Sequence, residues 1–271
     1  LDLIPKLKHT HSNNFFLLAG PCAIEGEEMA MQIAEKIMTV TESLEIPFIF
    51  KGSFKKANRS RIDSFTGIGD EKALEILQKV GQSFNVPTIT DIHEVADAEK
   101  AAQYVDVLQI PAFLCRQTDL LMAAAKTGKI VKVKKGQFLA PWDMKNIYEK
   151  LKAFNATGII LTDRGNSFGY NTLVSDMRGL SSMRSTDCPI VFDATHSVQQ
   201  PGGQGKSSGG QREMVPVLAR AAVAVGISGI FMETHPNPNL AKSDGQNSMP
   251  MNLMFTLLET LKEIDSVTKK K

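Results

Sequence analysis

The feature that most constrains the fold is an alternation of short apolar runs with longer amphipathic stretches along nearly the whole chain. Each run is almost continuously apolar at its centre, which is typical of a parallel strand that is covered on both faces. The eight runs span residues 15–22, 47–54, 86–92, 105–111, 129–136, 158–165, 189–196 and 229–236. The stretches between them have helical periodicity, as in 28–41, 71–83, 120–127, 214–225 and 251–264.

Eight strand–helix units predict a closed (β/α)8 TIM barrel, an α/β fold. An open doubly wound sheet is the alternative, but the first run ends in Gly20-Pro21-Cys22 and lacks a Gly-x-Gly-x-x-Gly signature. We expect a single catalytic domain over 1–271, because the length suits one barrel and no composition shift marks a boundary. Residues 1–14 form an N-terminal extension, and the Gly/Ser-rich segment 201–210 after the seventh strand is predicted to be a mobile active-site loop.

Composition excludes several classes of protein. The 31 basic and 29 acidic residues give a formal net charge of +2, too small to indicate a nucleic-acid partner. No apolar segment approaches the roughly 20 residues of a membrane span, and the first residues do not form the apolar core of a secretory signal. Three scattered cysteines do not make a disulfide framework. We therefore expect a cytoplasmic protein that binds neither membrane nor nucleic acid.

Polar side chains collect where the predicted strands end. In a (β/α)8 barrel the carboxyl ends of the strands and the loops that follow them carry the functional residues. A barrel built only for stability has no reason to gather cations and metal-ligand types at one rim. The residues at these ends are Cys22, Lys51, Asp91, Gln109, Lys134, Arg164, His196 and Glu233.

Many of the polar residues at or near this rim are cationic. In a nearly neutral chain, such a set indicates a ligand with more than one anionic group, since arginine forks and lysine ammonium groups suit phosphate and carboxylate. The alternative is that some of them, Lys135 among them, are ordinary surface charges. The set comprises Lys51, Lys56, Arg59, Arg116, Lys134, Lys135, Arg164 and Arg212.

Four other residues have side chains that bind metals: Cys22, His196, Glu233 and Asp244. A thiolate, an imidazole and carboxylates suit a borderline first-row divalent ion better than Mg²⁺. In the alternative interpretation Cys22 is a small buried hydrophobe and His196 a hydrogen-bonded rim histidine. Spacing alone leaves both interpretations open.

At the level of whole motifs the chain resembles the 3-deoxy-D-manno-octulosonate-8-phosphate synthases. The likeness runs from about the first strand to the last helix, and its motifs are long and carry chemistry. They are Ala19-Gly20-Pro21-Cys22-Ala23-Ile24-Glu25, Phe50-Lys51, Lys56-Ala57-Asn58-Arg59-Ser60, Pro111-Ala112-Phe113-Leu114-Cys115-Arg116-Gln117-Thr118, Val133-Lys134-Lys135-Gly136-Gln137-Phe138, Asp193-Ala194-Thr195-His196-Ser197 and Ser208-Gly209-Gly210-Gln211-Arg212-Glu213.

The resemblance implies a reaction and its substrate sites. Phosphoenolpyruvate condenses with D-arabinose 5-phosphate and water to give 3-deoxy-D-manno-octulosonate 8-phosphate and inorganic phosphate, a step toward lipopolysaccharide. The resemblance places phosphoenolpyruvate on Lys51, Lys56, Gln109, Pro111, Ala112, Lys134 and Arg164. It places the aldose phosphate on Asn58, Arg59, Ser60, Asp91 and Arg116. The family is homotetrameric, so Arg116 is expected to reach in from a neighbouring subunit.

The resemblance also implies a metal. The family has a metal-independent branch with Asn at the position of Cys22, so Cys22 indicates the metal-dependent branch. The implied ligands are Cys22, His196, Glu233 and Asp244, holding a divalent ion such as Zn, Fe, Mn or Co. Catalytic roles are implied for Cys22, His196, Asp244 and Lys134.

Three other functions compete with this interpretation. The related 3-deoxy-D-arabino-heptulosonate-7-phosphate synthase uses erythrose 4-phosphate, but its aldose segment reads Lys-Pro-Arg-Thr-Ser, whereas this chain has Lys56-Ala57-Asn58-Arg59-Ser60. A Schiff-base aldolase could use Lys134 as its nucleophile. A non-catalytic barrel could simply bind a phosphosugar, although it has no need of a metal-ligand set.

Overall fold

The fold is a closed barrel of parallel strands surrounded by helices, as predicted. It is known from a computed structural model that describes residues 1–59, 62–202 and 209–270. Neighbouring strands in the chain pair in order, and the last pairs with the first, with Phe16 opposite Gly229. The barrel strands are β1 (Phe16–Gly20), β2 (Phe48–Lys51), β3 (Thr88–Asp91), β4 (Val107–Ile110), β5 (Ile130–Lys134), β6 (Ile159–Asp163), β7 (Ile190–Asp193) and β8 (Gly229–His235).

A helix follows each strand and covers the outside of the barrel. In α1, for example, Ile33, Ile37 and Val40 face the strands and are buried. No helix in the described ranges is both long and apolar enough to cross a membrane. The helices are α1 (Glu27–Leu44), α2 (Asp70–Ser83), α3 (Val95–Ala102), α4 (Thr118–Lys126), α5 (Met144–Ala153), α6 (Met177–Met183), α7 (Val215–Val225) and α8 (Met254–Lys269).

Two pairs of short strands and one single short strand lie at the carboxyl-terminal rim of the barrel. Asn166–Ser167 pairs with Leu173–Val174, and Gln199–Gln200 pairs with Gly209–Gly210. Met249–Pro250 runs beside the end of β8. The mobile loop predicted at 201–210 falls largely on residues 203–208, which lie outside the described part of the chain.

Side-chain alternation along the strands divides the core into two layers. On β5, Val131 and Val133 face the helices, whereas Ile130 faces the inside of the barrel. Inside, Ile130 packs in one apolar cluster with Phe231 of β8 and with Ile4 from the segment before β1. The first residues of the chain therefore cover the amino-terminal end of the barrel, and the opposite end holds the polar side chains.

Gly20 ends β1 at a close approach between the backbones of β1 and β2. A Cβ atom on Gly20 would lie only 1.9 Å from the carbonyl oxygen of Lys51 on the neighbouring strand. The next residues turn out of the strand, and the backbone carbonyl of Cys22 then accepts a hydrogen bond of 3.3 Å from Ser53 N. The missing side chain of Gly20 thus lets β1 and β2 approach while Cys22 enters the rim.

We expect Gly20→Ala to lower the free energy of unfolding by about 3 kcal/mol or more, because backbone atoms must shift to admit the methyl group. Gly26→Ala is the matched control, since a Cβ there meets no atom within 4 Å. Its effect should stay within about 1 kcal/mol, because Gly26 is the N-cap of α1 and alanine is less favourable there. Thermal and urea unfolding of both variants measure the difference, and equal stabilities contradict the role given to Gly20.

Candidate functional site

Two adjoining cavities open at the carboxyl ends of the strands. The inner cavity is lined by side chains from β2, β3, β5 and β8, including Lys51, Asp91, Lys134 and Glu233. The outer cavity encloses about 290 Å³ and lies toward solvent. The residues that line both are Lys56, Asn58, Phe113, Arg164 and His196.

Lys51 is the central cation of the inner cavity. Its ammonium donates to Glu233 Oε1 at 2.9 Å and to the carbonyl of Cys22 at 2.8 Å, and it lies 3.8 Å from Asp91 Oδ2. Burial disfavours the charged form, but Glu233 and Asp91 outweigh it and raise the pKa of Lys51. Lys51 is therefore held as a cation between two carboxylates.

Lys134 and His196 share one carboxylate, Asp193. Lys134 Nζ donates to Asp193 Oδ2 at 2.7 Å, and His196 Nδ1 lies 2.9 Å from the same oxygen. Burial acts against the charge of Asp193, but His196 and Lys134 hold its pKa well below the usual range. With Nδ1 on Asp193, the other ring nitrogen of His196 faces Glu233 Oε2 at 3.6 Å.

A second set of side chains brings sulfur and carboxylate oxygens together. One ligand atom from each of Cys22, Glu233 and Asp244 lies within 4.8 Å of the others. Cys22 Sγ is 3.1 Å from Asp244 Oδ2, and the ammonium of Lys56 lies 3.1 Å from the sulfur and 3.2 Å from that oxygen. His196 borders this cluster through Glu233 but is not one of the three.

The donors of this cluster fit a divalent ion. Glu233 Oε2 is buried and accepts no hydrogen bond from any described residue. Burial raises the pKa of the Cys22 thiol well above its usual value, and Glu233 raises it further. A buried thiol of that kind becomes a thiolate when a strong cation replaces its proton. His196 has the arrangement usual for a metal-bound histidine, one ring nitrogen on a carboxylate and the other free.

Asp244 reaches the cluster from the loop after β8. The residue adopts a left-handed backbone conformation (φ 48°), which short polar side chains tolerate. Gln199 Nε2 donates to its Oδ1 at 3.1 Å. Burial would raise the pKa of Asp244, but Lys56 and His196 lower it well below its usual value.

Arg164 lies across the inner cavity from Lys51. Its Nη2 donates to the carbonyl of His196 and to Gln199 Oε1, both at 2.9 Å, and its buried Nε has no partner among the described residues. Pro111 and Ala112 complete this wall of the inner cavity with backbone from the end of β4. The predicted anion-binding side chains Lys51, Lys56, Lys134 and Arg164 thus surround one space.

The predicted aldose-phosphate segment lies at the outer cavity. Asn58 and Arg59 line it. Arg59 Nη1 donates to the carbonyls of Ile62 at 2.8 Å and Ser64 at 3.3 Å, and its Nε is buried without a partner in the described ranges. Ser60 lies outside the described residues.

Two of the predicted substrate-binding residues, Gln109 and Arg116, are not among the described residues that line the cavities. Gln109 is fully buried and is not among the described residues that line either cavity. Its Nε2 donates to Asp91 Oδ1, and Ser53 Oγ donates to the other oxygen of that carboxylate. Arg116 is exposed and lines a different surface cavity with Asp143 and Lys150.

Lys135 and Arg212, both expected at the mouth, serve neighbouring loops instead. Lys135 is fully buried, because it points to the opposite face of β5 from Lys134. Its ammonium binds the carbonyls of Gly136, Leu139 and Gly165 at 3.2–3.3 Å. Arg212 donates to the carbonyl of Gly245 beside Asp244. These two cations therefore stabilise loops.

The sequence interpretation missed Asp193 and Lys132 as members of the polar core. Asp193 stands in the quoted motif, two residues from the inward-facing Val191, so strand alternation could have identified it. Lys132 likewise stands two residues before Lys134 on β5. A search for apolar runs counts Asp193 only as the end of a strand and Lys132 only as an interruption of one.

Comparison with known proteins identifies the family. Residues 6–270 match the model described as "DAHP synthetase I family". A relative from Francisella tularensis subsp. holarctica, named 2-dehydro-3-deoxyphosphooctonate aldolase, is 59% identical over 255 residues, covering 94% of this chain and 93% of the relative. Relatives of the same name from Paracidovorax citrulli and Rickettsia prowazekii are 60% and 58% identical, over 94% of this chain and 92% and 93% of their own. The chain therefore belongs to the DAHP synthetase I family.

Proposed function

We propose that this protein condenses phosphoenolpyruvate with D-arabinose 5-phosphate and water, giving 3-deoxy-D-manno-octulosonate 8-phosphate and inorganic phosphate for lipopolysaccharide synthesis. One observation carries the proposal: Lys51, Lys56, Lys134 and Arg164 line a single cavity beside the cluster of Cys22, Glu233 and Asp244. The relatives at 58–60% identity carry the name of the enzyme for this product. Three free cysteines suit the reducing cytoplasm in which we place it.

Phosphoenolpyruvate fits the inner cavity because it has a phosphate and a carboxylate. In our proposal Arg164 and Lys134 receive one anionic group, and Lys51 with Lys56 receives the other, while the backbone of Pro111 and Ala112 bounds the three-carbon unit. Such fixed cations orient the substrate and stabilise charge that develops during the reaction. The aldose phosphate then extends through the outer cavity to Asn58, Arg59 and Ser60, with Asp91 beside the sugar.

The proposed chemistry forms one C–C bond and breaks one C–O bond. C3 of phosphoenolpyruvate attacks the aldehyde carbon of the sugar, and the aldehyde oxygen gains a proton and becomes a hydroxyl group. Water adds at C2 and loses a proton, giving a hemiketal phosphate. The bond between C2 and the bridging phosphate oxygen then breaks while the C2 hydroxyl gives up its proton, which leaves the 2-keto acid and releases inorganic phosphate that takes up the proton. The cations of the inner cavity hold the leaving phosphate, and Asp193 keeps Lys134 and His196 in place.

We further propose that Cys22, His196, Glu233 and Asp244 hold a divalent ion such as Zn, Fe, Mn or Co, as in the metal-dependent branch. This set is supported by the buried Oε2 of Glu233, which accepts no hydrogen bond from the described residues, and by the raised pKa of the buried Cys22 thiol beside two carboxylates. When bound, such an ion supplies a Lewis acid that polarises the aldehyde or activates water. Lys56, which now contacts Cys22 and Asp244, is then free to turn toward the substrate phosphate.

The choice of aldose follows from the segment after Lys56. The family description names the heptulosonate branch, whereas the relatives at about 60% identity are octulosonate enzymes. In the Lys56-Ala57-Asn58-Arg59-Ser60 segment, Asn58 lines both cavities and can contact both substrates. We therefore favour the five-carbon sugar phosphate over erythrose 4-phosphate.

Arg116 fits a role in a neighbouring subunit of a homotetramer. Its side chain is exposed, lies outside both cavities of its own chain and follows Phe113, which is 53% exposed. An exposed arginine beside an exposed aromatic residue is common at protein interfaces. In this arrangement the guanidinium adds a bidentate phosphate contact to the site of the adjacent subunit.

The direct test is phosphate release from phosphoenolpyruvate with arabinose 5-phosphate, in protein treated with chelator and after divalent metals are added back. We expect turnover that chelator removes and metal restores. Turnover that survives complete metal removal contradicts the metal site alone. Turnover with erythrose 4-phosphate but not with the five-carbon sugar moves the protein to the heptulosonate branch, and no turnover with either refutes the reaction.

Cys22→Ala should remove a ligand and lower metal affinity by at least about a hundredfold, with loss of activity, since outer partners of metal ligands already contribute 10- to 100-fold. Cys188→Ala is the control, because Cys188 lies at the opposite end of the barrel near Ile159. Metal content after dialysis and phosphate release measure both. Full metal content in the Cys22→Ala protein rejects the proposed ligand.

Arg116 can be tested by mixing two inactive variants, Arg116→Ala and Lys134→Ala. If each site combines Lys134 of one subunit with Arg116 of another, about a quarter of sites in random mixed tetramers regain both residues. We expect coexpressed variants to recover activity of that order, whereas each alone stays inactive. No recovery in verified mixed tetramers contradicts the shared site.

A further inference from the structure

Lys132 is a fully buried lysine inside the barrel, below the residues that line the inner cavity. It lies on β5, two residues before Lys134 and directly opposite Gln109 of β4 in the strand register. The described lining residues of the inner cavity do not include it. Nothing in the proposed reaction requires a cation at this depth.

The surroundings of Lys132 do not compensate its charge with an ion pair. Its Nζ donates to Gln109 Oε1 at 2.6 Å and lies 4.8 Å from the centroid of the Phe231 ring. Among the described residues no carboxylate forms an ion pair with it within 4.0 Å. Burial, followed by the charge of Lys134, lowers the pKa of Lys132 well below its usual value. Keeping an ammonium here therefore costs folding free energy.

The contact of Lys132 with Gln109 fixes the orientation of an amide. An ammonium group offers only donors, so Gln109 must turn its Oε1 toward Lys132 and its Nε2 toward Asp91. Gln109 Nε2 then donates to Asp91 Oδ1, while Ser53 Oγ donates to Asp91 Oδ2. Lys51 faces the same Oδ2 at 3.8 Å. Asp91 is held from three sides, and Lys132 determines one of them.

We propose that Lys132 is a positioning residue for the condensation: through Gln109 it fixes the Asp91 carboxylate at the wall of the inner cavity. This inference rests on the proposed function, in which Asp91 lies beside the sugar. An ammonium fixes this orientation most firmly, because a neutral hydrogen-bond partner that also accepts lets Gln109 rotate part of the time and present oxygen to Asp91. Two oxygens would then face each other, and the carboxylate would move.

A purely structural role makes the opposite prediction for stability. If Lys132 only stabilised the fold, its removal would lower the midpoint of thermal unfolding. If Lys132 instead positions Asp91 at a cost in stability, an apolar unbranched side chain of similar length should leave the midpoint unchanged or raise it, because the desolvated charge is gone. Activity and stability must then change in different directions.

The experiment compares Lys132→Met, Lys132→Gln and a control, Thr162→Val, with the wild-type protein. Methionine removes the charged group and keeps an unbranched side chain one atom shorter than lysine, whereas glutamine restores a donor without a charge. Thr162 is also buried, is paired in register with Lys134, and its Oγ1 has no partner within the described ranges. Steady-state kinetics for both substrates, thermal unfolding and a crystal structure of each variant are measured.

We expect Lys132→Met to lower kcat/KM for arabinose 5-phosphate by at least about tenfold, the loss expected when a buried polar partner is removed. KM for phosphoenolpyruvate should change much less, and the unfolding midpoint should not fall. In the crystal structure the Asp91 carboxylate should move by about 0.5 Å or more, enough to disturb a functional site. Lys132→Gln should recover part of the activity, and Thr162→Val should stay within about twofold of wild type.

Wild-type kinetics in Lys132→Met, or an unmoved Asp91, overturns the inference. A fall in the unfolding midpoint that accompanies equal losses in both Lys132 variants also overturns it, because it assigns a structural role. If the wild-type protein releases no phosphate with either aldose, the proposed reaction fails. The position of Asp91 in the variants then still tests the role of Lys132.

Discussion

Lys51 and Glu233 form an ion pair of 2.9 Å in which both side chains are at most 2% exposed. The pair connects β2 to β8, which flank β1, so it exists only because the barrel closes there. Each charge loses its hydration and must be compensated by the other and by nearby groups. Removal of one partner leaves an uncompensated buried charge, at a cost of about 3–5 kcal/mol. Two further charges of the site are arranged around this pair, since Asp91 Oδ2 lies 3.8 Å from Lys51 Nζ and a carboxylate oxygen of Asp244 lies within 4.8 Å of one of Glu233.

Around the inner cavity and the cluster of Cys22, Glu233 and Asp244, four cations match four carboxylates in number. Lys51, Lys56, Lys134 and Arg164 face Asp91, Asp193, Glu233 and Asp244. A dianionic or trianionic substrate that entered alone would disturb this balance, as would a divalent ion that entered alone. In the proposed complex the two would offset each other in part, since the substrate would take the cations and the ion the thiolate and carboxylates. Charge balance thus favours a site that takes an anionic substrate and a metal together.

Much of this arrangement could be predicted from the sequence, because strand ends in a closed barrel converge whatever their separation in the chain. Cys22, Lys51, Lys134 and Glu233 come together for that reason alone. The sequence could not show that Lys135 turns away from Lys134, since that depends on which residues of β5 face the barrel interior. It also could not show that Arg212 binds the carbonyl of Gly245, because the position of that loop is set by contacts made after the strands end.

At the centre of β5 the apolar-strand pattern and the structure disagree in an informative way. Parallel strands of a barrel are expected to be apolar inside, and Val107 on β4 and Ile160 on β6 follow that rule beside β5. Lys132 breaks the rule without an ion-paired carboxylate among the described residues, although an apolar methionine of similar length could occupy the position. Natural sequences break local rules of this kind chiefly at functional sites. The polar core of this barrel therefore extends on β5 one layer below the residues that line the inner cavity. From that depth Lys132 fixes the position of Asp91 through Gln109.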